Sequence, residues 1–323
     1  MPRCSTTRMH GSIARPSAGD GRDGDVQTIA RSPGRLDLVR LSPLMERTSG
    51  SPEVTVALID GPVAQGLTAL PPGRIREAGG SPTSSCTVAQ SIACRHGTIV
   101  ASLLAADRDS GAPGICPGCS FIARPVFSET PSGAQPDHVG RMPSATPEEL
   151  AAAITDCISA GARILNLSLS VVRASPRSDR ELTIALDQAA SQGVLVVAAA
   201  GNQGTVVSTA ITRHPWVIPV VACDFLGRAL AMSNLAASIG QRGLSAPGDH
   251  VTTFDPSGAL VESGGTSVAA PFVTGAAALL WSELPLASGD TIKRALTDPT
   301  GRRPRSLVPP LLDAWGAFQR AAQ

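Results

Sequence analysis

An excess of charge of either sign is the first thing the sequence lacks: 27 Lys and Arg stand against 26 Asp and Glu, for a formal net charge of +1. So even a balance gives no reason to expect nucleic acid, an anionic membrane surface or a strongly charged substrate as partner. No run of eighteen or more apolar residues occurs, so no membrane-spanning helix is expected. The first fifty residues hold eight arginines but no apolar core of a secretory signal, and a cytoplasmic location is the expectation. Internal repeats of 20 to 50 residues are absent, which excludes solenoids and propellers. What remains is a chain of 323 residues, 42% hydrophobic, long enough to bury one sizeable core.

The seven cysteines (Cys4, Cys86, Cys94, Cys116, Cys119, Cys157, Cys223) are an odd number in a chain too long to need a disulfide framework. Cys116-Pro-Gly-Cys119 has the spacing of a redox or metal half-site. It has no second such pair and no helix directly behind it, so a structural pair or two ordinary thiols is expected. A Cys86–Cys94 bridge would brace the loop before His96, although spacing alone does not fix connectivity. Cys157 and Cys223 fall on apolar runs and read as small buried hydrophobes.

Residues 1–35 are rich in Gly, Ser, Pro, Arg and Asp and poor in large apolar side chains, so they read as a disordered tail. Residues 36–323 read as one domain, with a motif-bearing core over about 52–281 and a C-terminal extension over 282–323. Short branched runs at Val54–Ile59, Phe121–Phe127, Ile164–Leu169, Val194–Ala199 and Val217–Cys223 alternate with amphipathic segments. That alternation predicts an α/β fold: three layers, with a mostly parallel central sheet covered by helices on both faces.

Thr146-Pro-Glu-Glu149 and Ser178-Asp-Arg-Glu181 read as helix starts with caps, and Gly161 and Gly193 as their ends. Gly61–Ala93 and Ser128–Ala145, rich in Pro, Gly and Ser, read as loops.

Three motifs occur in the order Asp, His, Ser. Asp60 ends a strand in ALIDGPV, and Gly61-Pro62 turns the chain away, leaving the carboxylate at the sheet edge where open α/β folds place their sites. His96 precedes an apolar helical stretch in HGTIVASLLAA and is expected to open that helix. Ser267, in GGTSVAAPFVTGAAALLW, is expected at the N-terminus of a buried helix, which favours developing negative charge.

A serine hydroxyl becomes nucleophilic when an imidazole accepts its proton, and a carboxylate on the other ring nitrogen fixes the tautomer. The oxyanion then needs donors, and Asn202 in AAAGNQG, with the Ser267 N–H and help from Thr266, fits that need. Taken singly, Asp60 is a turn residue and Ser267 an N-cap. Taken jointly, they leave His96 and Asn202 unexplained unless the four act together. His10, His138, His214 and His250 lack such context and read as surface or loop residues.

ALIDGP, HGTIVAS, ILNLSLS, AAAGNQG and GGTSVAAP, in this order over Pro52–Trp281, resemble the subtilisin family of serine proteases. The DGPV turn and the C-terminal VPPLLDAWGAF are similar to the branch that matures cyanobactins and related ribosomal peptides. The resemblance implies a serine endopeptidase with a catalytic set of Asp60, His96, Ser267 and Asn202. It implies that Ser168, Leu169 and Ser170 pair by backbone with an extended peptide or protein substrate, and that Ala199, Ala200 and Gly201 line the pocket for the residue before the scissile bond.

It also implies either precursor-peptide maturation or general intracellular degradation. A catalytically silent peptide-binding scaffold is the rival from another class. Calcium often stabilises subtilisins, but acidic residues are sparse in these loops, with Asp107 and Asp109 the closest to a cluster, so no metal or other cofactor is expected. Gly61 replaces the hydroxyl residue usual after the aspartate, so Asp60 must rely on backbone donors. Ile99 and Val268 replace a second histidine and a methionine.

Overall fold

In the computed structural model seven strands pair side by side, all parallel, in the order β2-β3-β1-β4-β5-β6-β7. They are β1 (Thr55–Asp60), β2 (Ile75–Glu77), β3 (Ser120–Pro125), β4 (Ile164–Leu167), β5 (Leu195–Ala199), β6 (Val217–Cys223) and β7 (Leu244–Pro247). A separate antiparallel hairpin joins β8 (Val251–Phe254) to β9 (Leu260–Ser263). The structure describes residues 34–70, 73–78, 86–127, 129, 145–169, 176–297 and 305–323.

Ten helices accompany these strands among the described residues: α1 (Arg35–Leu38), α2 (Ser42–Arg47), α3 (Ile92–Ala105), α4 (Pro147–Ser159), α5 (Pro176–Ser191), α6 (Ala210–Arg213), α7 (Ala237–Arg242), α8 (Thr266–Glu283), α9 (Gly289–Thr297) and α10 (Ala314–Ala321).

The strand side chains alternate between two cores, as a period of two requires. Val56 and Leu58 of β1 join the cluster that includes Leu104 of α3 and Leu279 of α8, whereas Ala57 and Ile59 join the one that includes Leu150 of α4 and Leu186 of α5. Both faces of the sheet are therefore covered, and near-continuous apolar strands are the result. α8 is buried from Thr266 to Trp281, the condition for a helix that is apolar on every side.

The helix at 147 forms as expected: Thr146 accepts from Glu149 N–H at 3.2 Å and its own N–H donates to the Glu149 carboxylate at 2.8 Å. Gly161 and Gly193 follow their helices at φ +84° and +68°. Other boundaries move. α5 starts at Pro176, so Ser178 lies inside the first turn; a proline is tolerated there because its missing N–H would be unpartnered anyway.

The expected loop over 61–93 contains β2, a three-residue edge strand recruited by pairing with β3 and too short to show a period in sequence. The expected tail over 1–35 lies outside the described residues except for its last two, and Arg35 already begins α1. Most of the expected loop over 128–145 lies outside them as well. The C-terminal stretch is part of the domain: Ser245 of β7 pairs with Leu311, and Leu312, Ala314 and Ala317 are buried in the main core.

Candidate functional site

β1 delivers Asp60 fully buried at its C-terminal end. The Gly61 N–H donates to Asp60 Oδ1 at 2.5 Å, which is the backbone donor that the absence of a hydroxyl neighbour demanded. No larger residue fits at 61, because a Cβ there would lie 2.0 Å from the Ala93 carbonyl oxygen, and one at Gly97 would lie 2.3 Å from the Gly61 carbonyl oxygen. The two glycines thus let α3 press directly on the turn after β1.

His96 does not open its helix. α3 begins after Ser91, whose hydroxyl accepts from Cys94 N–H at 3.0 Å, and His96 stands in the second turn. The exposed Ile92 and Arg95 conceal that first turn from a reading by apolar spacing. A Cys86–Cys94 disulfide ties the preceding segment to the same turn, and Glu129 holds that segment further by accepting from the Thr87 and Val88 N–H groups at 2.8 and 3.0 Å. Cys116, Cys119, Cys157 and Cys223 are buried free thiols.

His96 Nδ1 lies 2.6 Å from Asp60 Oδ1. Burial works against a charged ring here, but the charge of Asp60 and its hydrogen bond outweigh it, so the His96 pKa is raised above its ordinary value. His96 Nε2 is buried and has no hydrogen-bond partner among the described residues. It is the ring nitrogen free to take a proton, in a cleft of about 400 Å³ that Ser267 also lines.

A base must be neutral to act, so kcat/KM is expected to fall as pH drops through this raised pKa. Asp60→Asn removes both raising influences and leaves burial, so the acid limb should move to lower pH while kcat drops by about 10⁴-fold. A pH–rate profile of the two proteins checks both the sign and the loss.

Ser267 is the second residue of α8, and its N–H is one of the first-turn donors that no helical carbonyl satisfies. Its carbonyl is unusual as well. Four residues on stands Pro271, which has no N–H to return the helical bond. The Ser168 hydroxyl, buried at the end of β4, donates to that carbonyl at 3.1 Å instead. Asn166 Nδ2 donates to Ser168 Oγ at 2.7 Å, and Thr274 Oγ1 to Asn166 Oδ1 at 2.8 Å.

A buried relay of three side chains therefore fixes the turn that carries Ser267. Ser168→Ala should leave that carbonyl unpaired and lower kcat more than it raises KM. Ser168→Thr, which keeps the hydroxyl, should recover much of the loss; steady-state kinetics of the two variants separate these outcomes.

Asn202 faces the start of α8. Its Oδ1 accepts from the Thr266 N–H at 2.9 Å and the Thr266 hydroxyl at 3.0 Å, and that hydroxyl accepts from Gly201 N–H at 3.2 Å. The amide is thereby oriented with Nδ2 as its remaining donor. The Thr266 proton is committed to this orientation, so the help of Thr266 is to orient the amide. Asn234 secures the same loop, accepting from Gln203 and Thr205 N–H at 3.1 and 3.2 Å while its own N–H donates to the Gly201 carbonyl at 2.8 Å.

Of the residues expected to bind an extended chain, Ser168, Leu169, Ala199 and Gly201 line the cleft. Ala200 is buried beside β6, with its N–H on the Val220 carbonyl, and Ser170 lies outside the described residues. Met232 and Arg95 also line the cleft and carry no local motif that would have announced them. Among the described residues no helix is long and apolar enough to cross a membrane.

A family model described as the subtilase family matches residues 73–309. Subtilisin DY of Bacillus licheniformis is 32% identical over 207 residues, which cover 62% of this chain and 69% of that protein. The chain spans about half the length of several other Bacillus subtilisins that it matches. Among solved structures, that of the prenylagaramide maturation protease PagA superposes with a TM-score of 0.70 at 27% identity, covering 87% of this chain and 98% of that one. The patellamide maturation protease PatA gives 0.67 at 29% identity, covering 84% and 98%.

Proposed function

The chain belongs to the subtilase family, serine endopeptidases that hydrolyse peptide bonds, and on that premise we propose that it cuts a ribosomally made precursor peptide through an acyl-enzyme on Ser267. The observation that carries the assignment of roles is that His96, Ser267 and Asn202 line one cleft with Asp60 buried behind the imidazole, while Asp60 Oδ1 and Asn202 Oδ1 are each already engaged by a backbone donor.

In that reading Ser267 Oγ attacks the scissile carbonyl while His96 Nε2 takes its proton. Asp60 stabilises the resulting imidazolium through Nδ1. The carbonyl oxygen, now negative, meets Asn202 Nδ2 and the Ser267 N–H. His96 then returns the proton to the leaving amine, and water releases the acyl group by the same steps reversed. The substrate lies extended along Ser168 and Leu169, with the side chain before the scissile bond against Ala199 and Gly201.

A maturation role draws on the neighbours PagA and PatA, both described as maturation proteases and similar over most of this chain. The experiment has two parts. A fluorophosphonate should label the folded protein and fail to label Ser267→Ala; equal labelling of both would refute the roles. Digestion of an unbiased peptide library should give one dominant cleavage motif, whereas cutting throughout the library would support general degradation.

A further inference from the structure

Among the described residues, the cleft that holds His96 and Ser267 is lined almost entirely by uncharged side chains, and the exception besides the histidine is Arg95. Several other arginines of the described residues are tied down: Arg47 to Glu283, Arg74 to the Gly118 carbonyl, Arg124 to Asp156, Arg163 over the Trp281 ring. The Arg95 guanidinium is exposed and makes no hydrogen bond or ion pair among the described residues. The carboxylate that feels its charge, Asp255, has its Oδ1 engaged by the Ser257 N–H and hydroxyl and the Ala259 N–H at 2.6–3.1 Å, and it makes no ion pair with Arg95.

The backbone that carries this cation is held in place. Arg95 sits on the first turns of α3, capped by Ser91, with the disulfide on Cys94 to one side and the catalytic imidazole to the other. An unpaired guanidinium on a fixed backbone, one residue from His96, is a recognition element for a carboxylate. It equally repels a cationic side chain beside a ring that becomes imidazolium during the reaction.

We propose that Arg95 is a specificity-determining residue that selects peptides carrying an aspartate or glutamate within two positions of the scissile bond. An extended peptide advances about 3.3 Å per residue, which brings such a side chain within reach of a group adjacent to His96. The even charge of the whole chain conceals this preference, because a cation in a cleft otherwise uncharged among the described residues acts locally, whatever the balance of the remaining surface. The inference rests on the cleft being the endopeptidase site proposed above.

An ion pair at a partly exposed site is a modest interaction, so the acid should be favoured over its isosteric amide by about two- to fivefold in kcat/KM. The guanidinium touches a group remote from the reacting atoms, so the effect should fall on KM and leave kcat nearly alone.

The test is a set of peptides identical except for Asp against Asn, Glu against Gln and Lys at each position flanking the cleaved bond. They are assayed with the wild-type protein, Arg95→Ala and Arg95→Glu. The quantity read is the acid-to-amide ratio within each protein, so that a general loss of activity in a variant cancels. Wild type should favour the acid, Arg95→Ala should show a ratio near one, and Arg95→Glu should favour lysine.

The wild-type preference should also shrink when the salt is raised to about 0.5 M, where screening is effective over a few ångströms. Equal cleavage of acid and amide by wild type, or a preference surviving in Arg95→Ala, would overturn the proposal while leaving the endopeptidase reading intact. Failure of both cleavage and fluorophosphonate labelling in wild type would overturn the two together.

Discussion

Ser267→Ala is expected to lower kcat by about 10⁶-fold, His96→Ala by the same order, and the double variant by no more than either alone. The magnitude is inherited from the corresponding changes in subtilisin itself; the non-additivity follows from the arrangement seen here. His96 Nε2 has no other partner among the described residues to which it is committed. Its catalytic value therefore exists only if the Ser267 hydroxyl is there to give up a proton. Once either group is gone the other contributes nothing, and water reacting in the remaining cleft sees the same oxyanion donors in all three proteins. Steady-state rates on one chromogenic peptide, with active-site titration to exclude contamination, measure the three losses. If the double variant were slower than the singles by the product of their effects, the two residues would be acting independently and the proposed proton transfer would fail.

The central strands were readable because each is buried on both faces, and burial on both faces writes a continuous branched run into the sequence. Much of the site was readable for a related reason: Asp60, Asn202 and Ser267 sit at or just past strand ends or at a helix start, where the punctuation of ALIDGP, AAAGNQG and GGTS is local. What escaped is what tertiary contact decides. β2 exists because β3 offers it an edge, and nothing in Ile75-Arg-Glu announces that. The start of α3 is set by the Ser91 cap and the disulfide, while the apolar spacing begins only after His96.

Ser168 was singled out in the sequence only as part of a segment expected to bind substrate, through its backbone. The bond from its side chain to the Ser267 carbonyl joins residues 99 apart in sequence and depends on a proline four residues past the nucleophile. Asn234, which clamps the loop of Asn202, lies in a turn with no motif of its own. Polar residues that orient other residues carry no periodicity, so only coordinates reveal them.

Asn202→Ala is expected to lower kcat by 10² to about 10³-fold with KM little changed, again a magnitude known from subtilisin. The reason is that Nδ2 meets the substrate oxygen only once it has become an oxyanion, so the ground state loses little when the donor is removed. Because Thr266 holds Oδ1 through two hydrogen bonds, Asn202→Ala also frees the Thr266 N–H and hydroxyl. Thermal unfolding must accompany the kinetics to show that the start of α8 survives.

Gly265 provides an independent route to the same donor. Its φ of +107° disfavours any side chain, and a Cβ there would sit 3.0 Å from Asn202 Nδ2. Gly265→Ala should therefore destabilise the protein by about 1–3 kcal/mol and reduce kcat as well, since the methyl group presses on the amide that must receive the oxyanion. The two variants should not be additive in kcat. With Asn202 already alanine, the methyl at 265 has no amide left to displace, and its remaining cost should appear in stability alone. A double variant that instead lost a further tenfold or more in kcat, with its folded fraction verified, would mean that Gly265 serves the reaction by some route other than clearing space for Asn202.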